Sequence, residues 1–219
     1  MDTYVLIHGG GGGAWIWNLL AGELRARGHD VVAVDLPIED DSAGLNEYAE
    51  TVVGAIGDRT DLVVVAHSLG AFTGPLVCAR VPVAMLVAGM VPLPGETGME
   101  WWVNTGYEQE VREQDEHDDG EISVFYHDVP PALAAEAVAK GRDQASTPML
   151  EPWPLRAWPD VPTRYLLCRD DRMFPPEFAR RVVQERLGIT PEEIDGGHCP
   201  MLGRPQELAD RLGAYRAEL

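Results

Sequence analysis

The stretch that most constrains this chain is Leu62-Val63-Val64-Val65-Ala66-His67-Ser68-Leu69-Gly70. Its first residues are apolar and mostly β-branched, which predicts a buried β-strand. A serine and a glycine follow, and the run from Ala71 to Arg80 has the composition of a helix. Strand, sharp turn carrying a serine, and helix together are the layout of a nucleophile elbow, usually written G-x-S-x-G. Ala66 replaces the first glycine of that pattern but is still small enough for a tight turn.

Two interpretations of Ser68 are open at this point. In the first, the turn presents the serine hydroxyl above the C-terminal edge of the sheet, where the N–H groups of the next helix favour negative charge. In the second, Ser68 only caps a helix that follows a strand, a position that serine favours. The rest of the chain has to decide between them.

Length, charge and cysteine content narrow the class of protein. The 219 residues suit a single α/β domain, residues 1–219. The 36 acidic and 17 basic residues give a net charge of −19, which argues against nucleic acid and against anionic membranes as partners. We attribute the acidity to solubility, with a cationic substrate as the alternative. The sequence shows no leader pattern and no membrane-length apolar run, so we expect a cytoplasmic protein. Cys78, Cys168 and Cys199 lack metal-ligand spacing, so we expect reduced thiols and neither metal nor cofactor.

Apolar strand-like runs alternate with helix-like runs along most of the chain. Strands are predicted over 3–8, 29–36, 62–66, 83–90, 164–168 and 194–197, and helices over 15–27, 45–56, 71–80, 177–187 and 206–217. This alternation predicts an α/β fold with a mostly parallel sheet and helices on both faces.

The pattern changes between residues 91 and 162, where proline, glycine and aromatic residues interrupt it. Because about 70 residues without strand repetition lie between two buried strands, we expect an inserted lid over roughly 91–162 rather than a second domain. The acidic run 108–121 within it is interpreted as a solvated face. Some lid aromatics should line a pocket above the serine, and the candidates are Trp101, Trp102, Phe125 and Tyr126.

Five consecutive glycines, Gly9 to Gly13, follow the first predicted strand. They fit a dinucleotide fingerprint loosely, with Asp35 as the distant acid, whereas a phosphate loop would need Gly-Lys-Ser/Thr, which is absent. They also fit the His-Gly-Gly loop that supplies an oxyanion donor. A purely structural turn is the plain alternative. The downstream Ser68 favours the oxyanion loop.

A serine, an aspartate and a histidine follow three of the predicted strands in that order. Ser68 follows one strand, Asp170 and Asp171 follow the next-to-last, and His198 follows the last. Serine attacks a carbonyl only when a base takes its proton and an acid orients that base. Since the ends of parallel strands meet at one sheet edge, the three side chains should meet there. The order Ser, Asp, His is that of the α/β-hydrolases.

On these motifs the chain resembles the α/β-hydrolases over its whole length. Within them it is similar to the small-esterase and hydroxynitrile-lyase group, which includes plant methyl-salicylate esterases. The matching stretches are His8-Gly9 through Gly13-Ala14-Trp15-Ile16-Trp17, Ala66 to Gly70, Asp171 to Phe174 with Pro176-Glu177-Phe178, and Gly197-His198. The resemblance implies the α/β-hydrolase fold.

The resemblance also implies roles for individual residues. Ser68 would be the nucleophile and His198 the base. The acid would be Asp171 rather than Asp170, because the family's acid lies five residues before the Pro-Glu-Phe triplet. The oxyanion donors would be the backbone N–H groups of Gly10 and Leu69. Gly9, and Cys199 directly after His198, are also predicted to lie at the substrate pocket.

Two departures from the group bear on the reaction. Its cyanohydrin lyases have a lysine directly after the catalytic histidine and a threonine after the first-strand histidine, and here these positions are Cys199 and Gly9. We therefore predict that the protein hydrolyses a carboxylic ester. The aromatic lid indicates that this small-molecule partner is small and apolar or aromatic. Thioesterase, C–C hydrolase or lyase chemistry on the same triad stays open. So does a non-catalytic receptor, with a nucleotide-binding oxidoreductase as a distant third.

Overall fold

The computed structural model describes residues 1–110 and 120–218, without the side chains of residues 84–88. Most of the acidic run predicted to be a solvated face, residues 111–119, therefore lies outside the described residues.

A parallel sheet forms the centre of the fold. Its described strands are β1 (Thr3–Ile7), β2 (Asp30–Val34), β3 (Leu62–Ala66), β4 (Val83–Ala88), β5 (Thr163–Cys168) and β6 (Glu192–Ile194), in the spatial order β2-β1-β3-β4-β5-β6. Every described pairing is parallel. β1 and β3 pair in register up to Ile7 opposite Ala66, so the glycine loop and the Ser68 turn leave the sheet side by side.

Helices connect the strands. They are α1 (Asn18–Ala26), α2 (Leu45–Ile56), α3 (Gly74–Cys78), α4 (Gly98–Asn104), α5 (Tyr107–Glu110), α6 (Glu121–Phe125), α7 (Pro131–Ala139), α8 (Thr147–Leu150), α9 (Pro176–Leu187), α10 (Pro200–Gly203) and α11 (Pro205–Ala217). Short 3₁₀ helices cover Ala14–Trp17 and Ser68–Phe72. No helix in residues 1–110 or 120–218 is long and apolar enough to cross a membrane.

The two faces of the sheet bury different helices, because successive side chains of a strand point to opposite sides. Val5, Ile7 and Val64 belong to one core cluster, together with residues of α2, α3 and α9. Tyr4 and Leu6 belong to the other cluster, with residues of α1 and α11. The predicted architecture, a parallel sheet covered on both faces, is confirmed.

Two predicted elements end differently from the expectation. The helix predicted over 71–80 is instead the 3₁₀ turn at Ser68–Phe72 followed by the short α3. Pro75 has no N–H to continue the hydrogen bonds of the preceding turn, and it lies in the first turn of α3, which begins at Gly74. The last strand ends at Ile194, because Gly196 turns the chain with a φ of +108°.

The chain between β4 and β5, which we call the β4–β5 segment (residues 91–162), is the part predicted to be a lid. Helices α4 to α8 lie within it. Glu96 forms a buried ion pair with Arg186 of α9, at 2.5 Å. Trp153 donates its indole N–H to the Phe72 carbonyl at 3.0 Å. These buried contacts fix the base of the segment to the sheet domain.

Candidate active site

Ser68 occupies a strained turn directly after β3. Its φ is +50°, a left-handed conformation that non-glycine residues rarely adopt. Small neighbours make the turn possible: a Cβ on Gly70 would lie 2.5 Å from the His8 carbonyl oxygen, and one on Gly89 would lie 2.3 Å from the Ser68 nitrogen. Gly70 was part of the sequence pattern. Gly89 was missed, and its only signal was a glycine at the end of a buried strand.

Asp171 and His198 are joined at the same edge of the sheet. The imidazole Nδ1 donates to Asp171 Oδ2 at 2.9 Å, and both side chains are nearly inaccessible to solvent, 6% exposed for His198 and 9% for Asp171. Since Nδ1 donates to a carboxylate, Nε2 remains the free acceptor of the neutral ring.

The neighbouring Asp170 has a different role. Its Oδ2 accepts a hydrogen bond from the Gly196 N–H at 3.2 Å, and its own N–H donates to the Gly196 carbonyl. The structure therefore brings Asp171, and not Asp170, to the imidazole of His198.

Ser68 and His198 line the same cavity, which has a volume of about 480 Å³. In the described part of the chain the Ser68 hydroxyl is not hydrogen bonded to His198. Catalytic hydrogen bonds are often long in ligand-free enzymes and tighten when the substrate binds. The cavity volume falls within the range of small-molecule sites.

The residues predicted for the pocket, with one exception, line this cavity: they are Gly9, Trp102, Phe125, Tyr126 and Cys199. Gly10 and Leu69, predicted as oxyanion donors, line it as well. The exception is Trp101, and the prediction for it is corrected. Its side chain is 2% exposed and packs edge-on against Phe174 and Phe178, with its indole N–H donated to the Val91 carbonyl. Adjacent residues on a helix point in different directions, so only one of the two tryptophans faces the cavity.

His8, directly after β1, holds the glycine loop (Gly9 to Gly13) against Leu36 by two hydrogen bonds. Its Nδ1 donates to the Gly9 carbonyl at 2.7 Å, and its Nε2 accepts from the Leu36 N–H at 3.1 Å. Burial lowers the pKa of His8, which keeps the ring neutral and suits this pattern of one donor and one acceptor. Asp35, the acid weighed for a dinucleotide site, instead accepts from the Ala14 N–H and closes the loop.

Two residues of the β4–β5 segment also form hydrogen bonds with the glycine loop. The Arg142 N–H donates to the Gly11 carbonyl at 2.8 Å, and the Gln144 side-chain oxygen accepts from the Gly11 N–H at 3.4 Å. Nothing in the sequence marked these two residues, because their contacts join positions far apart in the chain.

The mouth of the cavity carries Lys140, the only lysine in the 219-residue sequence. Its exposed side chain places the ammonium 5.6 Å from the centre of the Trp15 ring, a cation–π distance.

Cys199 is buried next to His198. Burial, and next the charges of Asp171 and Asp128, raise the pKa of this thiol well above its usual value. A thiol rather than a thiolate is a poor nucleophile, so Cys199 acts by packing. Among the described residues, no three histidine, cysteine, aspartate or glutamate side chains are arranged to hold a metal ion.

Comparison with known proteins agrees with this architecture. A family model described as "Alpha/beta hydrolase family" matches residues 4–211, and the chain belongs to that family. It is 26% identical to Methylesterase 9 of Arabidopsis thaliana, over 97% of this chain and 97% of the relative. It is 27% identical to probable esterase PIR7A of Oryza sativa subsp. indica, over 95% and 94%.

A solved structure shows the same fold. The crystal structure of polyneuridine aldehyde esterase superposes with a TM-score of 0.82 at 20% identity, covering 98% of each chain. The resemblance noted from the motifs is thereby confirmed, and the chain is a carboxylesterase-like α/β-hydrolase.

Proposed function

We propose that this protein hydrolyses a small carboxylic ester through Ser68, His198 and Asp171. The observation that carries the proposal is the 2.9 Å bond between Asp171 and His198, at a cavity that also holds Ser68 on a positive-φ turn. In the reaction, His198 Nε2 takes the hydroxyl proton while the serine oxygen attacks the ester carbonyl. Asp171 stabilises the imidazolium that forms.

The negative charge that develops on the carbonyl oxygen is assigned to two backbone N–H groups. One belongs to Leu69, in the first turn of the 3₁₀ helix, where N–H groups lack partners within the helix. The other belongs to Gly10, in the loop held by His8 and Gln144. Losing one such donor typically reduces the rate by about 10²–10³.

The intermediate then collapses to an acyl-enzyme. The bond between carbonyl carbon and alcohol oxygen breaks, and the imidazolium returns its proton to the departing alcohol. Water next attacks the acyl carbon while His198 accepts its proton, and the acid is released from Ser68. Every proton taken is returned, so the step needs no metal or redox partner.

The cavity wall supports an apolar or aromatic ester. Trp102, Phe125, Tyr126, Met149 and Met173 line it. Aromatic and thioether side chains bind apolar groups without demanding one shape. Cys199, in place of the lysine of cyanohydrin lyases, supports hydrolysis over cyanide release.

The location of the protein is proposed on chemical grounds. Cys78, Cys168 and Cys199 are free and buried, which suits a reducing compartment such as the cytoplasm. The net charge of −19 supports the absence of nucleic-acid partners.

A serine-directed fluorophosphonate tests the proposal. Incubation with the purified protein, followed by mass spectrometry of peptides, should place one adduct on Ser68, and Ser68→Ala should remove it. In parallel, wild-type protein should turn over p-nitrophenyl esters of short acids, whereas Ser68→Ala should not. An adduct elsewhere, or full turnover by Ser68→Ala, would exclude Ser68 as the nucleophile. An unreactive wild type would favour a receptor.

A further inference from the structure

The loop that carries His198 rests on a carboxylate from the β4–β5 segment. The backbone N–H of Gly197 donates to Asp128 Oδ2 at 2.8 Å. Asp128 lies between α6 and α7, 69 positions away from Gly197 in the chain. The bond therefore joins the residue just before the proposed base to a part of the chain outside the sheet.

The glycines around His198 leave room for this carboxylate. A Cβ on Gly196 would lie 2.8 Å from Asp128 Oδ2, and a Cβ on Gly197 would lie 2.7 Å from Asp128 Oδ1. On Gly203, in the helix after the histidine, a Cβ would lie 3.1 Å from Oδ2. The backbone can approach the carboxylate this closely only without side chains. Contact with Asp128 is therefore one reason for the Gly-Gly pair before the histidine, beside the φ of +108° at Gly196.

The adjacent residue reaches the loop of the acid. The ring Nε2 of His127 donates a hydrogen bond to the carbonyl oxygen of Asp170 at 2.9 Å. Asp170 precedes Asp171 as Gly197 precedes His198. One dipeptide, His127-Asp128, therefore binds the backbone next to both members of the Asp171–His198 pair.

The second carboxylate oxygen of Asp128, Oδ1, lowers the stability of the folded protein. Asp128 Oδ1 is buried without a hydrogen-bond partner among the described residues. Burying a carboxylate that has few partners destabilises a protein. Stability alone does not explain why an aspartate stands at this place.

We propose that Asp128 is a positioning residue for His198. By accepting the Gly197 N–H against a surface of bare glycine backbone, it sets the height of the loop, so that the imidazole reaches Asp171 on one side and the cavity on the other. The proposal rests on the proposed function, in which His198 is the general base. A shift of the base by about 1 Å can lower a rate by about 10²-fold.

Three substitutions separate shape from charge. Asp128→Asn keeps the size and an acceptor oxygen but removes the charge. Asp128→Glu keeps the charge but moves the carboxylate by one methylene relative to the Gly197 N–H. Asp128→Ala removes the acceptor. We expect Asp128→Asn to retain kcat within about threefold, and the other two to lose about tenfold or more in kcat with little change in KM. Glu136→Ala, on the exposed side of α7, is the matched control and should behave like wild type.

The outcomes are distinct. Wild-type kcat in Asp128→Ala, or a normal Asp128→Glu beside an impaired Asp128→Asn, would overturn the proposal. If Asp128→Ala does not fold, the Asn and Glu pair decides alone.

Failure of the proposed function is distinguishable from failure of this proposal. If wild-type protein neither hydrolyses esters nor labels at Ser68, the function fails. Amide hydrogen exchange of residues 195–199 then tests the contact itself. Weaker protection in Asp128→Glu than in Asp128→Asn would support the positioning role, and equal protection would overturn it.

Discussion

The imidazole of His198 is fixed by Asp171, whose own orientation is fixed by its loop. Asp171 Oδ2 accepts from the imidazole at 2.9 Å, and Oδ1 accepts from the N–H groups of Met173 and Phe174 at 2.8 and 2.9 Å. The carboxylate therefore has one position, and through it the imidazole has one orientation. The predictions below start from this relationship.

Asp171→Asn should lower kcat for ester hydrolysis by about 10³–10⁴, because an amide no longer selects the correct tautomer or stabilises the imidazolium. Asp170→Asn is the control, since the Asp170 side chain accepts from the Gly196 N–H and not from the imidazole of His198. It should keep kcat within about tenfold. Steady-state kinetics of both variants on one p-nitrophenyl ester provide the measurement. Equal losses in both would contradict the assignment of Asp171.

Gly9→Ala should lower kcat/KM for ester hydrolysis strongly, whereas Gly10→Ala should not. A Cβ on Gly9 would lie 2.9 Å from Ser68 Cβ, so the serine or the loop has to move, at a loss of about 10² in kcat/KM. A Cβ on Gly10 would meet the end of the Leu69 side chain at 3.3 Å and Gln144 Oε1 at 3.8 Å, and it leaves the backbone N–H in place. We expect kcat/KM of Gly10→Ala within about tenfold of wild type. An active Gly9→Ala would show that the loop does not touch the nucleophile.

The two adjacent tryptophans should separate stability from binding. Trp101→Ala should reduce the free energy of unfolding by about 3–5 kcal/mol, the usual result of deleting a fully buried indole. Trp102→Ala should destabilise less and should raise KM for an aromatic ester, because Trp102 lines the cavity. Denaturant unfolding and KM, measured on both variants, test this. Unchanged KM in Trp102→Ala would remove it from the substrate site.

The backbone strain at Ser68 should lower the free energy of unfolding, and a glycine at this position should relieve it. Ser68→Gly and Ser68→Ala both lack the hydroxyl, but only glycine adopts a φ of +50° without steric penalty. Ser68→Gly should therefore unfold at higher denaturant concentration than Ser68→Ala, by about 1 kcal/mol. Equal midpoints would mean that the turn relaxes once the hydroxyl is gone.

Stability should fall in mild acid because of buried histidines. Burial, and next the neighbouring His198, lower the pKa of His67 to about 3. The pKa of the unfolded residue is 6.5, so between these values the unfolded chain binds more protons. The contribution of His67 to the free energy of unfolding is therefore fully present above about pH 6.5 and decreases as the pH falls from there toward about 3.

His67→Gln tests the sign of this effect. Glutamine keeps an N–H that can donate to the His198 carbonyl, as His67 Nε2 does at 2.9 Å, but cannot titrate. The difference in melting temperature between pH 5 and pH 8 should shrink in this variant relative to wild type. An unchanged difference would show that His67 takes up its proton in the folded state.

Much of the architecture was predictable because it depends on local pattern. The run Leu62–Ala66 and the serine after it predicted β3 and its turn, and both are present. The aspartate was different: spacing left Asp170 and Asp171 equal, and the family resemblance made the choice. Which of the two aspartates bonds to His198 depends on how β5 and β6 pair, and no local sequence pattern encodes that pairing.

The contacts that hold the site together were not predictable. Asp128 and Gln144 are ordinary polar residues in the sequence, and their roles arise from neighbours far away in the chain. Gly89 had a signal too weak to separate it from other glycines. Trp101 was misplaced because a pair of tryptophans on a short helix does not reveal which one faces inward.

The single lysine gives the protein a natural attachment point. Within the 219 residues, amine-selective reagents have one side chain to modify, Lys140. A fluorophore coupled there would sit over Trp15 at the cavity mouth and would report the arrival of a ligand by quenching. Immobilisation through the same amine would turn the mouth toward the support and obstruct it.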